Sequence, residues 1–421
     1  MSDPQITPTT KTNFERYKNY CNSLETTELY TEFSFYSLIS ACLQRRVWFG
    51  KHEPTRIYAN SYFVFVGDPG TGKTVATRVN LYLLNKFKKI VGEKEKPKIP
   101  IAPDTISVEA LIRKLAYGID FFTANGCPHA QAAITFIAEE LANLFKKDDQ
   151  QLVKFLIQGY DGGDYTKELK GEGKINNIDS IFNMCINFLG ATTPENMIDF
   201  MNKGLLSDGF LGRAIFIYGG RPTHKKTFFE PDFEQVTDLK QVEDYCRCLC
   251  EVCGEVTFSD EASAYMDDWY LNKSHIFLNE DRKLIHYYAR KKINVEKLSI
   301  VNLFCRTYKS TVVEIDDVKS ALTSLAKVEL TMHLALASIG KNQVHHLSEA
   351  ILAFLGDRKR RNPEDESSRR KTMDQLKMLF HSDGSSEQVG SAIEFLLISG
   401  RIKAYVKVGS MPVVLEYESN I

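Results

Sequence analysis

Tyr62-Phe63-Val64-Phe65-Val66-Gly67-Asp68-Pro69-Gly70-Thr71-Gly72-Lys73-Thr74 is the stretch on which the reading of this chain turns. Its first five residues form a short apolar, β-rich run of the kind buried on both faces of a parallel sheet. The next eight match G-x-x-x-x-G-K-[ST]. Glycines there let successive backbone N–H groups turn toward one anionic centre. A helix expected from about Lys73 to Lys88 adds the positive end of its dipole. In such a cradle Lys73 reaches the β- and γ-phosphates of a nucleoside triphosphate and Thr74 ligates Mg2+. Gly67, Asp68, Pro69, Gly70, Thr71, Gly72, Lys73 and Thr74 are therefore expected to hold ATP.

Upstream, residues 12–50 read as helices with apolar faces such as Phe35, Leu38, Ile39 and Leu43. Downstream, GEKEKPKIP (92–100) reads as a polar loop, and Ser107 as the cap of a helix through Leu111 and Leu115. Ala132 to Ala138 is a second apolar strand. Residues 141–160 are helical, and Lys167 to Ile178 is a hairpin with Gly171-Glu172-Gly173 at its tip. Cys185 to Gly190 is a third strand, and Arg213 to Tyr218 opens a fourth. Strands alternating with helices predict an α/β fold with a parallel sheet.

Cleavage of a triphosphate needs an acid near Mg2+ and a group that orients water. The second strand ends in Glu139-Glu140, and strand ends in open α/β sheets face the ligand crevice. Glu139 is expected beside the metal and Glu140 against the water; two solvated acids at a helix start are the plainer alternative. Thr192 and Thr193 end the third strand, where they either hold the water or cap the next helix. Arg213 is either a surface cation or, in a ring of subunits, a charge projecting into a neighbour's site.

Beyond Gly220 the pattern is mainly helical from 235 to 340. DLKQVEDYCRCLCEV places Cys246, Cys250 and Cys253 at i, i+4, i+7, which reads as a helix face of small hydrophobes rather than as zinc ligands. Residues 357–371 form a charged linker, followed by two short helices and two β-rich runs, the pattern of a small winged-helix domain. Lys plus Arg total 53 against 54 Asp plus Glu, so nucleic-acid contact, if present, is local rather than global. No run of about 18 apolar residues occurs, and the first 20 residues lack the apolar core of a secretory signal. With nine cysteines, an odd number, the expectation is free thiols in a reducing interior, the cytoplasm of a host cell.

The ordered set GDPGTGKT, PDTISVEALI, FIAEELANLF, KELKGEGKINN before FLGATTPE, and DGFLGRAIF resembles the AAA+ ATPases of phage and mobile-element replication, which are similar to the minichromosome-maintenance helicases. The resemblance spans about residues 30–340. It implies an AAA+ core (51–225) behind an N-terminal helical region (1–50), a helical lid (226–340), and a linker with winged helix (341–421). By the same resemblance Glu139 and Glu140 are the second acidic motif, with Glu where Asp is usual. Thr192 or Thr193 is the first sensor, Arg213 the trans-acting arginine finger, and Arg290 or Lys291 the second sensor. The hairpin lysines Lys167, Lys170 and Lys174 would line a pore and grip single-stranded DNA. Arg401, Lys403 and Lys407 of the last domain offer a duplex contact or a protein-docking face. The expectation is a hexameric ATP-dependent DNA helicase that replicates a phage, virus or mobile element. An ATP-switched initiator or helicase loader is the alternative, and a signalling ATPase the third reading.

Overall fold

The computed structural model describes residues 11–91, 94–145, 150–169, 177–202, 208–220, 222, 227–273, 284–337, 342–361, 365, 370–381, 385–398, 401–405 and 414–417. Two compact units divide the chain, 1–336 and 337–421.

In the first unit the elements run α1 (Asn13–Cys21), α2 (Glu28–Leu43), β1 (Val47–Phe49), β2 (Ile57–Tyr58), β3 (Tyr62–Val66), α3 (Lys73–Asn85), β4 (Lys88–Val91), β5 (Lys94–Pro97), α4 (Val108–Ala116), β6 (Asp120–Ala124), β7 (Cys127–Ala138), α5 (Leu141–Leu144), α6 (Gln150–Asp161), β8 (Tyr165–Leu169), β9 (Asn177–Ile181), β10 (Met184–Thr192), α7 (Pro194–Asn202), α8 (Asp208–Leu211) and β11 (Ala214–Tyr218). Then come α9 (Phe233–Leu249), β12 (Gly254–Phe258), α10 (Asp260–Asp268), α11 (Ile285–Arg306), β13 (Val312–Val313) and α12 (Ile315–Ala337).

The main sheet has the order β11-β3-β10-β7-β6. Its first four strands are parallel, and β6 closes the edge as an antiparallel partner of the start of β7. The fold is thus α/β, with all five residues of β3 buried at the centre of the parallel part. The chain leaves β3 toward one side of the sheet and places β11 on the other, so the carboxyl end of β3 is a reversal point where such sheets open a crevice. α2 has no single apolar face and nearly all of it is buried, because it packs against β3, β10, α3, α9 and α11 at once.

Three elements differ from the sequence reading. The helical stretch stops at Leu43, because Gln44 takes φ +54°, and Val47–Phe49 becomes β1 in a second sheet of order β13-β12-β1-β2. GEKEKPKIP is not a loop throughout: β4 and β5 pair with Lys89 opposite Lys96. The second strand begins at Cys127 rather than Ala132, because Asn125 and Gly126, at φ +52° and +75°, turn β6 back into it.

The second unit contains α13 (Asn342–Arg361), β14 (Lys371–Thr372), α14 (Met373–Leu379), α15 (Ser386–Ile398), β15 (Ile402–Tyr405) and β16 (Val414–Tyr417). The strands form an antiparallel sheet of order β14-β16-β15. Its core joins Leu347, Ile351 and Leu355 of α13 to Leu376, Val389, Ile393, Leu396 and Ile402. α13 runs into what the sequence presents as the charged linker.

Candidate active site

The loop between β3 and α3 is shaped by contacts that glycine alone permits. Gly70 and Gly72 lie at φ +80° and +81°. A Cβ on Gly72 would stand 2.1 Å from the Glu25 carbonyl, and one on Gly67 would stand 2.5 Å from the Tyr30 hydroxyl. Around Gly70 nothing lies within 4 Å of the same position, so the crest of the loop is open. Tyr30 fixes the base of the loop: its hydroxyl donates to the Val66 carbonyl at 2.7 Å and accepts from the Gly219 N–H at 2.9 Å. One α2 side chain thereby joins the carboxyl ends of β3 and β11.

Lys73 is buried. Its ammonium donates to the Gly67 carbonyl, to the Asp68 carbonyl at 2.8 Å and to Thr71 Oγ1 at 3.3 Å. Burial lowers its pKa, and the charges of Glu140, Asp68 and Glu195 pull the other way. No carboxylate is hydrogen-bonded to it among the described residues. A buried ammonium beside a loop open at Gly70, at the start of the 13-residue helix α3, is an arrangement suited to an anion.

Two neighbouring parallel strands bring the next groups to the same end. Thr192 is level with Val66, and Ala138 with Gly190. Glu140 Oε1 accepts from Asn196 Nδ2 at 3.2 Å and stands 3.5 Å from the Thr192 hydroxyl. Thr193 caps α7, its hydroxyl accepting the Asn196 N–H at 3.3 Å. Sequence reasoning missed Asn196; its signal is its place three residues after the capping Thr193. Glu139 turns the other way and meets the guanidinium of Arg78 in two hydrogen bonds of 2.9 Å each. So the structure brings Lys73, Glu140, Thr192 and Asn196 together, while Glu139 is engaged one helical turn beyond Thr74. The oxygen donors at this corner, the Thr74 hydroxyl and Glu140, suit a hard cation such as Mg2+; Glu139 would have to leave Arg78 to join them.

The other expected residues lie elsewhere. Arg213 precedes β11, level with Ser61, so along the strands it is six residues, roughly 20 Å, from Gly67. It is 7% exposed and grips Asp161, the last residue of α6, through Nη2 and Nε (3.3 Å), with Nη1 on the Gly209 carbonyl at 2.9 Å. Arg290 of α11 reaches the same carboxylate at 3.3 Å. It therefore sits with Arg213 and not with the loop. Lys291 is buried in a 2.8 Å pair with Glu329. Lys167 lies in β8 opposite Asp179, whereas Lys170 and Lys174 fall outside the described residues, as does Lys407.

Beside Asp161 lies a polar cluster that the sequence did not reveal. Lys297 of α11 is fully buried, donates to both oxygens of Asn60 (3.0 and 2.6 Å), and stands 4.2 Å from the Tyr160 ring centre. Burial pulls its pKa down to about 7. Cys246 and Cys250 are buried where α9 ends, and Cys248 is exposed. Among the described residues no helix is long and apolar enough to cross a membrane.

No family model matches the chain, and no curated protein matches it either.

Proposed function

We propose that this chain is an AAA+ P-loop ATPase, with a helical lid after β11 and a winged helix as its second unit, that works in a ring as an ATP-dependent DNA helicase. The observation that carries the reading is the gathering of Lys73, Glu140, Thr192 and Asn196 at the carboxyl ends of three adjacent parallel strands, with Arg213 at the opposite end. The open amides of the loop and Lys73 bind the β- and γ-phosphates of ATP. Bound magnesium would neutralise the phosphate charge, and Thr74 and Glu140 would hold it. Glu140, steadied by Asn196 and Thr192, also orients the attacking water. Arg213 and Arg290 are too far from the loop to serve their own subunit's nucleotide; on leaving Asp161 they would serve a neighbour's, which makes the ring a requirement of the chemistry. The hairpin β8–β9, bearing Lys167, Lys170 and Lys174, grips single-stranded DNA.

The pairing of Glu139 with Arg78 favours one second reading, an ATP-switched initiator or loader with slow turnover. One experiment separates the two: strand displacement and ATP turnover with and without single-stranded DNA, on the parent chain and Lys73→Ala. A helicase displaces the strand and hydrolyses faster on DNA, and Lys73→Ala does neither. ATP binding without displacement leaves the loader. Failure to bind any nucleoside triphosphate removes both.

A further inference from the structure

At the end of α3 remote from the loop, a cleft of about 560 Å³ opens between the β4–β5 hairpin, the end of α4 and the start of β6. Lys89, Lys96, Lys98 and Lys114 line it together with Tyr117 and Phe121. Those two rings are 83% and 76% exposed, an unusual cost for two large aromatics lining one opening. Lys89 is neutralised by Asp120 at 2.5 Å and Lys98 by Glu251 at 2.8 Å. Lys96 and Lys114 have no carboxylate partner among the described residues. Lys114 donates to the Ile101 carbonyl at 2.7 Å, and its partial burial lowers its pKa.

Gln44 also lines the cleft, and it is 2% exposed at a backbone φ of +54° that side chains seldom adopt. Its amide orientation is fixed by a chain of bonds. The Arg45 N–H donates to Gln131 Oε1 at 3.0 Å, so Gln131 presents its Nε2, which donates to Gln44 Oε1 at 2.7 Å. Arg46 Nη1 donates to the same oxygen at 2.9 Å. Gln44 Nε2 is left as a buried donor without an acceptor. A strained residue with an orphaned amide, two lysines lacking acids and two bare rings share one opening.

We propose that this cleft is a second nucleotide-binding site, separate from the loop at Gly67–Thr74. The base stacks on Tyr117 and Phe121, phosphate oxygens meet Lys96 and Lys114, and Gln44 Nε2 donates to an acceptor of the base. An acidic peptide would satisfy the lysines and leave the rings and the amide unused. The same chemistry is offered by one nucleotide of a single strand and by a free mononucleotide, and the test distinguishes them. It does not depend on ATP hydrolysis at the loop.

The probes are a fluorescent oligothymidylate of about twelve nucleotides, read by anisotropy, and ATP counted per chain by equilibrium dialysis. The oligonucleotide arm uses the full chain in a Lys170→Ala/Lys174→Ala background, which removes the hairpin's share; the dialysis arm uses Lys73→Ala, which removes the loop's. If the ligand is a single strand, Tyr117→Ala/Phe121→Ala weakens the oligonucleotide about tenfold or more. Lys96→Ala/Lys114→Ala flattens the slope of log affinity against log salt by about 1.4, near 0.7 per lost phosphate contact. If the ligand is a free nucleotide, oligonucleotide affinity holds and ATP bound to Lys73→Ala falls from one per chain to none in both cleft variants. All four substituted side chains are at or near the surface, so basal ATP turnover and melting temperature stay at the parent's values. Unchanged oligonucleotide affinity together with unchanged nucleotide stoichiometry overturns the proposal, as does equal competition by polyglutamate.

Discussion

Arg213 tests the neighbour reasoning most sharply, because its position makes a cis role and a trans role give opposite results in one mixture. It lies roughly 20 Å along the strands from Gly67, beyond the span of an arginine side chain. Arg213→Ala alone should therefore lower ATP turnover on the order of 10³-fold or more, the usual worth of a charge supplied to a transferring phosphoryl group. Lys73→Ala alone should hydrolyse no ATP, because its loop holds no nucleotide. When the two inactive variants are co-assembled in equal amounts, some interfaces join an intact loop from one subunit to an intact Arg213 from the next. Random mixing makes about a quarter of the interfaces of this kind, so activity should return to about a quarter of the parent's.

The structural cost of the substitution does not obscure this. Arg213→Ala removes a fork onto Asp161, whose side chain is 48% exposed and keeps Arg290 at 3.3 Å. The loss of stability should be about 1–2 kcal/mol, visible as a small drop in melting temperature and not as unfolding. The assay is phosphate release on the mixture, with a tag on one variant to verify that the two enter the same oligomer. A mixture that assembles but stays as inactive as either parent would refute the argument: Arg213 would then act only through Asp161 of its own subunit.

Gly72→Ala should lower the melting temperature and weaken ATP binding at least tenfold, since left-handed backbone costs an alanine roughly 1–2 kcal/mol and its Cβ would sit 2.1 Å from the Glu25 carbonyl; a variant that melts and binds like the parent contradicts the packed-loop account. Glu140→Gln should cut turnover about 100-fold or more while ATP is still retained on a filter. Glu139→Gln should cut it less than tenfold, because it breaks a solvent-facing pair with Arg78 worth about 1 kcal/mol or less; the reverse order would exchange the two roles. Lys297, with its pKa at about 7 in the fold and 10.5 as an ordinary lysine, binds fewer protons folded than unfolded between those values, so stability should rise with pH from about 7 upward. Lys297→Met should flatten that rise in urea titrations at successive pH values, and an unaltered slope would mean that Lys297 stays charged.

The elements legible in the sequence are those whose residues meet one environment along their length. β3 is buried at every position, so Tyr62–Val66 is a plain apolar run. β7 is exposed from Cys127 to Pro128 and buried from Gln131 onward, so its first half resembles a loop although Asn125-Gly126 announces the turn. The β4–β5 hairpin runs through Lys94-Glu95-Lys96, whose alternating charges read as a linker because they draw no pattern from the main sheet. The same division holds at the site. Lys73, Thr74 and the Glu139-Glu140 pair announce themselves by spacing, but spacing does not tell which glutamate faces the loop; Arg78, 61 residues from Glu139, decides that. Asp161 was invisible because its meaning lies in Arg213, 52 residues away, and Arg290, 129 residues away.

That carboxylate stands where two lines of force meet. Asp161 ends α6, and after Gly162, Gly163 and Asp164 the chain enters β8, the first strand of the lysine hairpin. The hairpin's root is clamped separately: buried Arg45 donates to the Gly162 carbonyl and, at 3.0 Å, to Asn183 Oδ1, while Asp164 accepts the Asn183 N–H at 2.8 Å. A pull on Arg213 from a neighbouring subunit would act on the end of α6, yet Arg45 would hold the root against β1 and its sheet. Strain from the interface would then fall on the two residues between the clamps, Asp161 and Gly162, where φ is +75° and a Cβ would stand 2.5 Å from the Arg45 guanidinium. A few residues held on both sides are where such a change in backbone angles is taken up. In the proposed motor, a pull on Arg213 would therefore be taken up at Asp161 and Gly162 before it reached β8.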